Sequence, residues 1–158
     1  MVLLCIMNLY SREEYSIMFI EENNTVEVVV YYKRLKYQYV SFTESEFKNE
    51  ELSEEDKAKY KKLIVKMKQL TWGLYNDLQE GAVDLDGDGN RRFNYKKYKE
   101  SRLIRLISGW DATKKQGDKE IPARTDERTI KELAPEIAES ILNAYDQIVF
   151  LGEEEEGK

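Results

Sequence analysis

Residues Ser53 to Leu78, SEEDKAKYKKLIVKMKQLTWGLYNDL, are the stretch whose reading decides the fold. Ser53 has the side chain of a helix N-cap, and Glu54, Glu55 and Asp56 follow where the positive end of a helix dipole favours acids. Apolar residues then fall at Tyr60, Leu63, Met67, Leu70 and Leu74, with Ile64, Tyr75 and Leu78 beside them. That alternation of threes and fours predicts one stripe of a helix about seven turns long. Val65 and Trp72 lie off the stripe and predict a second contact face. A helix with two apolar faces lies between partners. Ordinary core packing supplies them most simply, and a seam with a second copy of the chain, a homo-oligomer, comes next.

Upstream, Tyr15 to Ile20 and Thr25 to Tyr32 (TVEVVVYY) are dense in β-formers. Glu21 to Asn24 between them has turn chemistry, so the pair predicts a β-hairpin, with Lys36 to Phe42 as a third strand. Downstream, Gly81 and the run Gly87 to Asn90 end the long helix. Asn94 caps the next, which carries Tyr95, Tyr98, Leu103, Ile104, Leu106, Ile107 and Trp110 against a basic outer face. Asp111 to Lys119 reads as a polar loop. Thr125 or Asp126 starts a short helix ending near Leu133, and Pro135 opens a last helix with Ile137, Ile141, Tyr145 and Ile148 on one side. The expectation is an α+β fold: an N-terminal hairpin or three-stranded antiparallel meander, then about four helices. Residues 1–152 are expected to form one globular domain, β-rich over 1–45 and helical over 53–150, followed by a disordered acidic tail over 153–158.

Composition excludes several classes. The chain of 158 residues has no histidine and one cysteine, Cys5. Ser-His-Asp and Cys-His catalytic pairs, His-ligated metals and internal disulfides are therefore absent. The apolar start, Met1 to Leu9, lacks a basic leader and is too short to span a bilayer, so no membrane partner is expected. A net charge of −6 argues against nucleic-acid binding, whose affinity comes from neutralising phosphates. The charges are unevenly spread. Seven acids face one lysine between Glu44 and Asp56, and seven bases face only Glu100 between Arg91 and Arg105. Such patches could meet within one molecule, between subunits, or stay as separate solvated faces.

Asp84, Asp86, Asp88 and Asn90 alternate through a glycine-bearing turn, as in the first half of an EF-hand loop. Alternate oxygens in such a turn suit a hard cation, which makes a weak calcium site one expectation. The second half fails, because Tyr95 stands where a bidentate carboxylate belongs and Arg91 and Arg92 bring positive charge. A plain turn between two helices is the other reading. Tyr31, Tyr32, Tyr37, Tyr39, Tyr95 and Tyr98 read as a contact surface, since tyrosine joins apolar area to a polar tip, and sheet filling explains the first four equally well. Trp110 reads as a core anchor or a ligand platform. No phosphate-cradling loop, nucleophile elbow or nicotinamide fingerprint is present, and no carboxylate pair stands out among 31 acids, so no enzyme is expected.

From Arg91 to Tyr145 the order of parts is distinctive: a helix closing on Trp110, a polar loop with Gly117 and Pro122, then the break Leu133-Ala134-Pro135 before a last apolar helix. In this order the chain resembles the tail assembly chaperones of long-tailed bacteriophages. The resemblance implies a non-enzymatic protein of the infected host's cytoplasm, absent from the finished virion. It implies as partners the tape-measure protein, which it keeps soluble, and tail-tube subunits, which it recruits. The client-contacting residues would come from the stripe Leu63, Met67, Leu70 and Leu74, or from Ile137, Ile141, Tyr145 and Ile148, with Trp110. Two alternatives stand beside it: a virion structural protein (a head-tail connector or tail-completion protein), and a small calcium-responsive module built on Asp84 to Asn90.

Overall fold

In the computed structural model, which describes Ile20 and residues 24–150, the sheet is built around β1 (Thr25–Arg34), whose valines and tyrosines prefer extended backbone. Its neighbours are β2 (Tyr39–Thr43) on one edge and β3 (Lys61–Lys68) on the other, both antiparallel. A short fourth strand, β6 (Ile107–Trp110), completes the order β2-β1-β3-β6. One face of the sheet carries Val28, Val30, Leu63, Val65 and Met67, all buried. Two further hairpins are separate from it. One is formed by β4 (Val83–Leu85) and β5 (Arg91–Phe93), the other by β7 (Thr113–Gln116) and β8 (Lys119–Pro122).

The helices are α1 (Glu44–Asn49), α2 (Glu54–Lys57), α3 (Trp72–Gly81), α4 (Tyr95–Leu106), α5 (Glu127–Lys131) and α6 (Pro135–Phe150). Caps set their starts. Thr43 closes a capping box with Glu46, and Ser53, Thr71, Asn94 and Asp126 each accept an amide from the first turn. The amphipathic α6 lays Ile137, Ile141, Leu142, Ala144 and Tyr145 onto the sheet and α4, closing one hydrophobic core with Leu103, Leu106, Ile107 and Ile130. The α+β class is as the sequence implies.

The long helix over Ser53 to Leu78 is not formed. Ser53 does cap a helix, but α2 lasts four residues and the chain then enters β3. Residues four apart share a face in a helix and in a strand alike, so Leu63 and Met67 fit both periods. Val65 decides between them. It is buried beside Leu63 and Met67, giving an inward alternation with Lys62, Lys66 and Lys68 on the outside. The stripe is divided: Leu63 and Met67 on β3, Leu70 in the connection, Leu74 on α3.

Two other expectations are corrected. The basic helix stops at Leu106, and Trp110 stands on β6 opposite Val65. Ser108 and Gly109 are poor helix residues, and β3 offers an edge that extended backbone satisfies. The polar stretch after Asp111 is the β7–β8 hairpin, with Gly117 supplying the positive φ of its turn. The expected third strand is present as β2, shifted toward the C-terminus. The strand expected at Tyr15 to Ile20 and the acidic tail fall outside the described residues, apart from Ile20.

Candidate functional cleft between the sheet and the β7–β8 hairpin

Where β1 ends and β2 begins, Tyr32 and Tyr39 stand side by side with ring centroids 6.2 Å apart. Both lie on the core face of the sheet, past the point where α6 begins to cover it. Trp110 is brought to the same region by β6, and its indole nitrogen donates to the carbonyl of Ala123 at 2.9 Å. Ala123 in turn donates its amide to the carbonyl of Ala112 at 2.8 Å, so the base of the β7–β8 hairpin clamps the tryptophan. Asp111 fixes the approach, accepting the Ile64 amide at 2.8 Å.

These residues wall a cleft of about 440 Å³. Leu63 and Ile137 form its floor, Leu133 and Ala134 close it beside the start of α6, and Lys114, Lys115 and Glu132 line its rim. Lys114 and Glu132 form an ion pair across it, which holds the Glu132 carboxyl below the usual range. Burial, and then the neighbouring Tyr39, Asp111 and Glu120, push the Tyr32 hydroxyl upward. Aromatic walls over an aliphatic floor, with charge confined to the rim, is the anatomy of a recognition surface. The lining offers hydroxyls and one already paired carboxylate, with no nucleophile set against a base.

The expected contact residues are distributed unequally around this cleft. Leu63, Trp110 and Ile137 line it. Met67, Ile141 and Tyr145 are fully buried, and Leu70 and Leu74 are half-buried against the same core. Ile148 points away, 44% exposed. Tyr32 and Tyr39 enter as two of the tyrosines weighed as a contact surface. Leu133 and Ala134 are legible in the sequence only as the break before the last helix, and the hairpin lysines carry no signal there, because their placement depends on a hairpin whose sequence reads as a loop.

The Asp84 to Asn90 segment is the β4–β5 turn. One Asp86 oxygen accepts the amides of Asp88 and Asn90 at 3.0 and 2.9 Å, and the other meets Arg92 Nε at 3.1 Å. Asp84 accepts from Asn94 Nδ2 at 2.8 Å and from Lys97 Nζ at 3.0 Å. These contacts hold both carboxyls below their ordinary range, the backbone amide of Asn90 dominating for Asp86 and the Asn94 side chain for Asp84. Among the described residues no three His, Cys, Asp or Glu side chains converge as a metal would require.

The basic helix α4 does not seek the acids of 44–56. Lys99 pairs with Glu139, Arg102 with Asp146, Arg105 with Asp77 and Lys97 with Asp84. Four of its basic side chains are thus paired within the fold. No helix among the described residues is long and apolar enough to cross a membrane. No protein-family model, curated protein or solved structure matches the chain.

Proposed function

We propose that the chain is a non-enzymatic binding protein of the tail-assembly-chaperone kind, and that its polypeptide client lies across the cleft of Tyr32, Tyr39 and Trp110. The observation that carries this reading is the pairing of two phenol rings and an indole over the aliphatic floor of Leu63 and Ile137. Such a site gives apolar contact area at small entropic cost and suits side chains projected by a helix. The dense ionic exterior serves a protein that must keep an apolar client dispersed.

The client class comes from the sequence likeness. Its C-terminal part, a short helix, Pro135 and a long apolar helix, corresponds to α5 and α6. The helix closing on a tryptophan and the polar loop take other forms, as β6 and the β7–β8 hairpin. On this reading the tape-measure protein is held in the infected cell until tail-tube subunits arrive, and the chaperone leaves the particle.

Co-expression with the tape-measure protein tests it. Tyr39→Asp is expected to send the client to the insoluble fraction while the variant's circular dichroism stays that of the parent. A client that remains soluble with the variant overturns the cleft as its seat. Recovery of the chain in finished particles would instead favour a structural component of the virion.

A further inference from the structure

The β4–β5 hairpin and the start of α4 expose apolar area outside the core. Val83 pairs with Phe93 and Leu85 with Arg91, so these four side chains share one face of the hairpin. Leu85 is 71% exposed, Phe93 49%, and Tyr95, on the first turn of α4, 62%. Phe93 and Tyr95 both lean on Tyr98, with ring centroids 5.3 and 6.4 Å away. Tyr98 in turn covers the guanidinium of Arg102, which Asp146 holds in place, so the patch has a fixed base. Arg91 and Lys96, both exposed, flank these rings in the chain, and Lys99 lies over the Tyr95 ring at 5.2 Å. Aromatic and aliphatic area set among cations is the composition of a protein-binding surface.

The matching surface is on the same chain. Between α1 and α2, Glu50, Glu51, Glu54 and Glu55 are all exposed, and half-buried Leu52 lies among them. The fold keeps the two surfaces apart. Phe47 of α1 stacks on Tyr31 at 4.1 Å, and Tyr31 alternates with the buried Val30, so α1 lies on the face of the sheet away from α6. The basic helix lies on the α6 side, where Leu103 and Leu106 enter the core. The two also belong to opposite edges of the sheet, since α1 follows β2 and α4 leads into β6. They do not meet within one molecule.

We infer that the patch of Leu85, Arg91, Phe93, Tyr95 and Lys96 receives the Glu50 to Glu55 segment of a second copy. Charge complementarity selects this occupant, because the carboxylates meet the cations while Leu52 offers apolar contact to the rings. The contact joins two different surfaces, so it is head-to-tail and leaves one surface of each kind open at the ends of an assembly. Successive copies build a chain, or a ring where the rotation closes. Exposed charges make much of the contact, so salt weakens it. It uses no residue of the Tyr32, Tyr39 and Trp110 cleft and does not rest on the function proposed above.

Sedimentation velocity of the full chain over a range of concentrations tests this. At low ionic strength the parent should form species larger than a dimer, and high salt should lower the association constant roughly tenfold or more. Arg91→Gln with Lys96→Gln removes one surface, and Glu51→Gln with Glu55→Gln removes the other. All four side chains are exposed, so both variants should fold as the parent does. Each variant alone should sediment as a monomer. Mixed in equal amounts they should form a one-to-one complex that grows no further, since each retains one intact surface. A parent that stays monomeric at every concentration and salt overturns the inference. So does association that survives either pair of substitutions, or a mixture of the two variants that stays monomeric.

Discussion

The hydroxyl of Tyr145 in α6 donates a hydrogen bond to the carbonyl oxygen of Lys68 at the end of β3, at 2.8 Å. The contact joins the two apolar series that read in the sequence as alternative client surfaces. Met67 and Ile141, one from each, are both fully buried in one core. Each series is largely the other's partner. Neither series fills the cleft at the Tyr32, Tyr39 and Trp110 end of the sheet, which is where the proposed function seats a client.

Burial pushes the Tyr145 hydroxyl from 10.0 up to about 12. The neutral form is favoured by folding, so its contribution is complete below the unfolded value and is lost as pH rises toward the folded one. Stability should fall between about pH 10 and pH 12, by on the order of 2 kcal/mol from this group. Tyr145→Phe removes that alkaline slope and costs about 1 kcal/mol at neutral pH for the lost hydrogen bond. Urea denaturation across pH, on parent and variant, measures both.

Arg102 is buried between the rings of Tyr98 and Tyr145, at 5.5 and 5.8 Å, and forks onto Asp146. Its Nε is buried with no acceptor. Asp146→Ala leaves a buried guanidinium without its counter-charge and is expected to cost about 3 kcal/mol. The double change Arg102→Met with Asp146→Leu should restore most of that, because apolar packing can replace a pair that was costly to desolvate. Chemical denaturation of the two variants decides it.

Asp86 is committed to its own turn. Asp86→Ala is expected to free the amides of Asp88 and Asn90 and raise hydrogen exchange through β4 and β5, leaving the main sheet unchanged. Its lowered pKa has the matching sign: the contribution is present above the ordinary carboxyl range and is lost as acid carries the pH below it. Calcium added to the full chain should produce no saturable heat, since binding would have to displace two amides and Arg92. Saturable binding abolished by Asp86→Ala would return the turn to the metal reading.

Capping residues made much of the fold legible. Ser53, Asn94, Asp126 and Pro135 all start helices where the side-chain chemistry implies, and TVEVVVYY forms the central strand. The reading failed where two periods coincide. Leu63 and Met67 fit a helical stripe, and the burial of Val65 that identifies a strand is a tertiary fact. The same limit hid the cleft. Trp110 and Ile137 were visible as apolar landmarks, but their meeting with Tyr32 and Tyr39 depends on β6 pairing with β3. Strand pairing of that kind leaves almost no mark on a four-residue segment containing Ser108 and Gly109.

Trp72 and Trp110 report on different parts of the surface, the first 77% exposed on α3 and the second bound through its indole nitrogen in the cleft wall. The most direct measurement of the central claim follows their two indole N–H resonances while a peptide from an apolar helical segment of the tape-measure protein is titrated into the full chain. The expected result is a saturable shift of the Trp110 signal, together with Tyr32 and Tyr39, and a Trp72 signal that stays in place. A silent Trp110 at saturating peptide, or a response confined to Trp72, would contradict the assignment of the cleft.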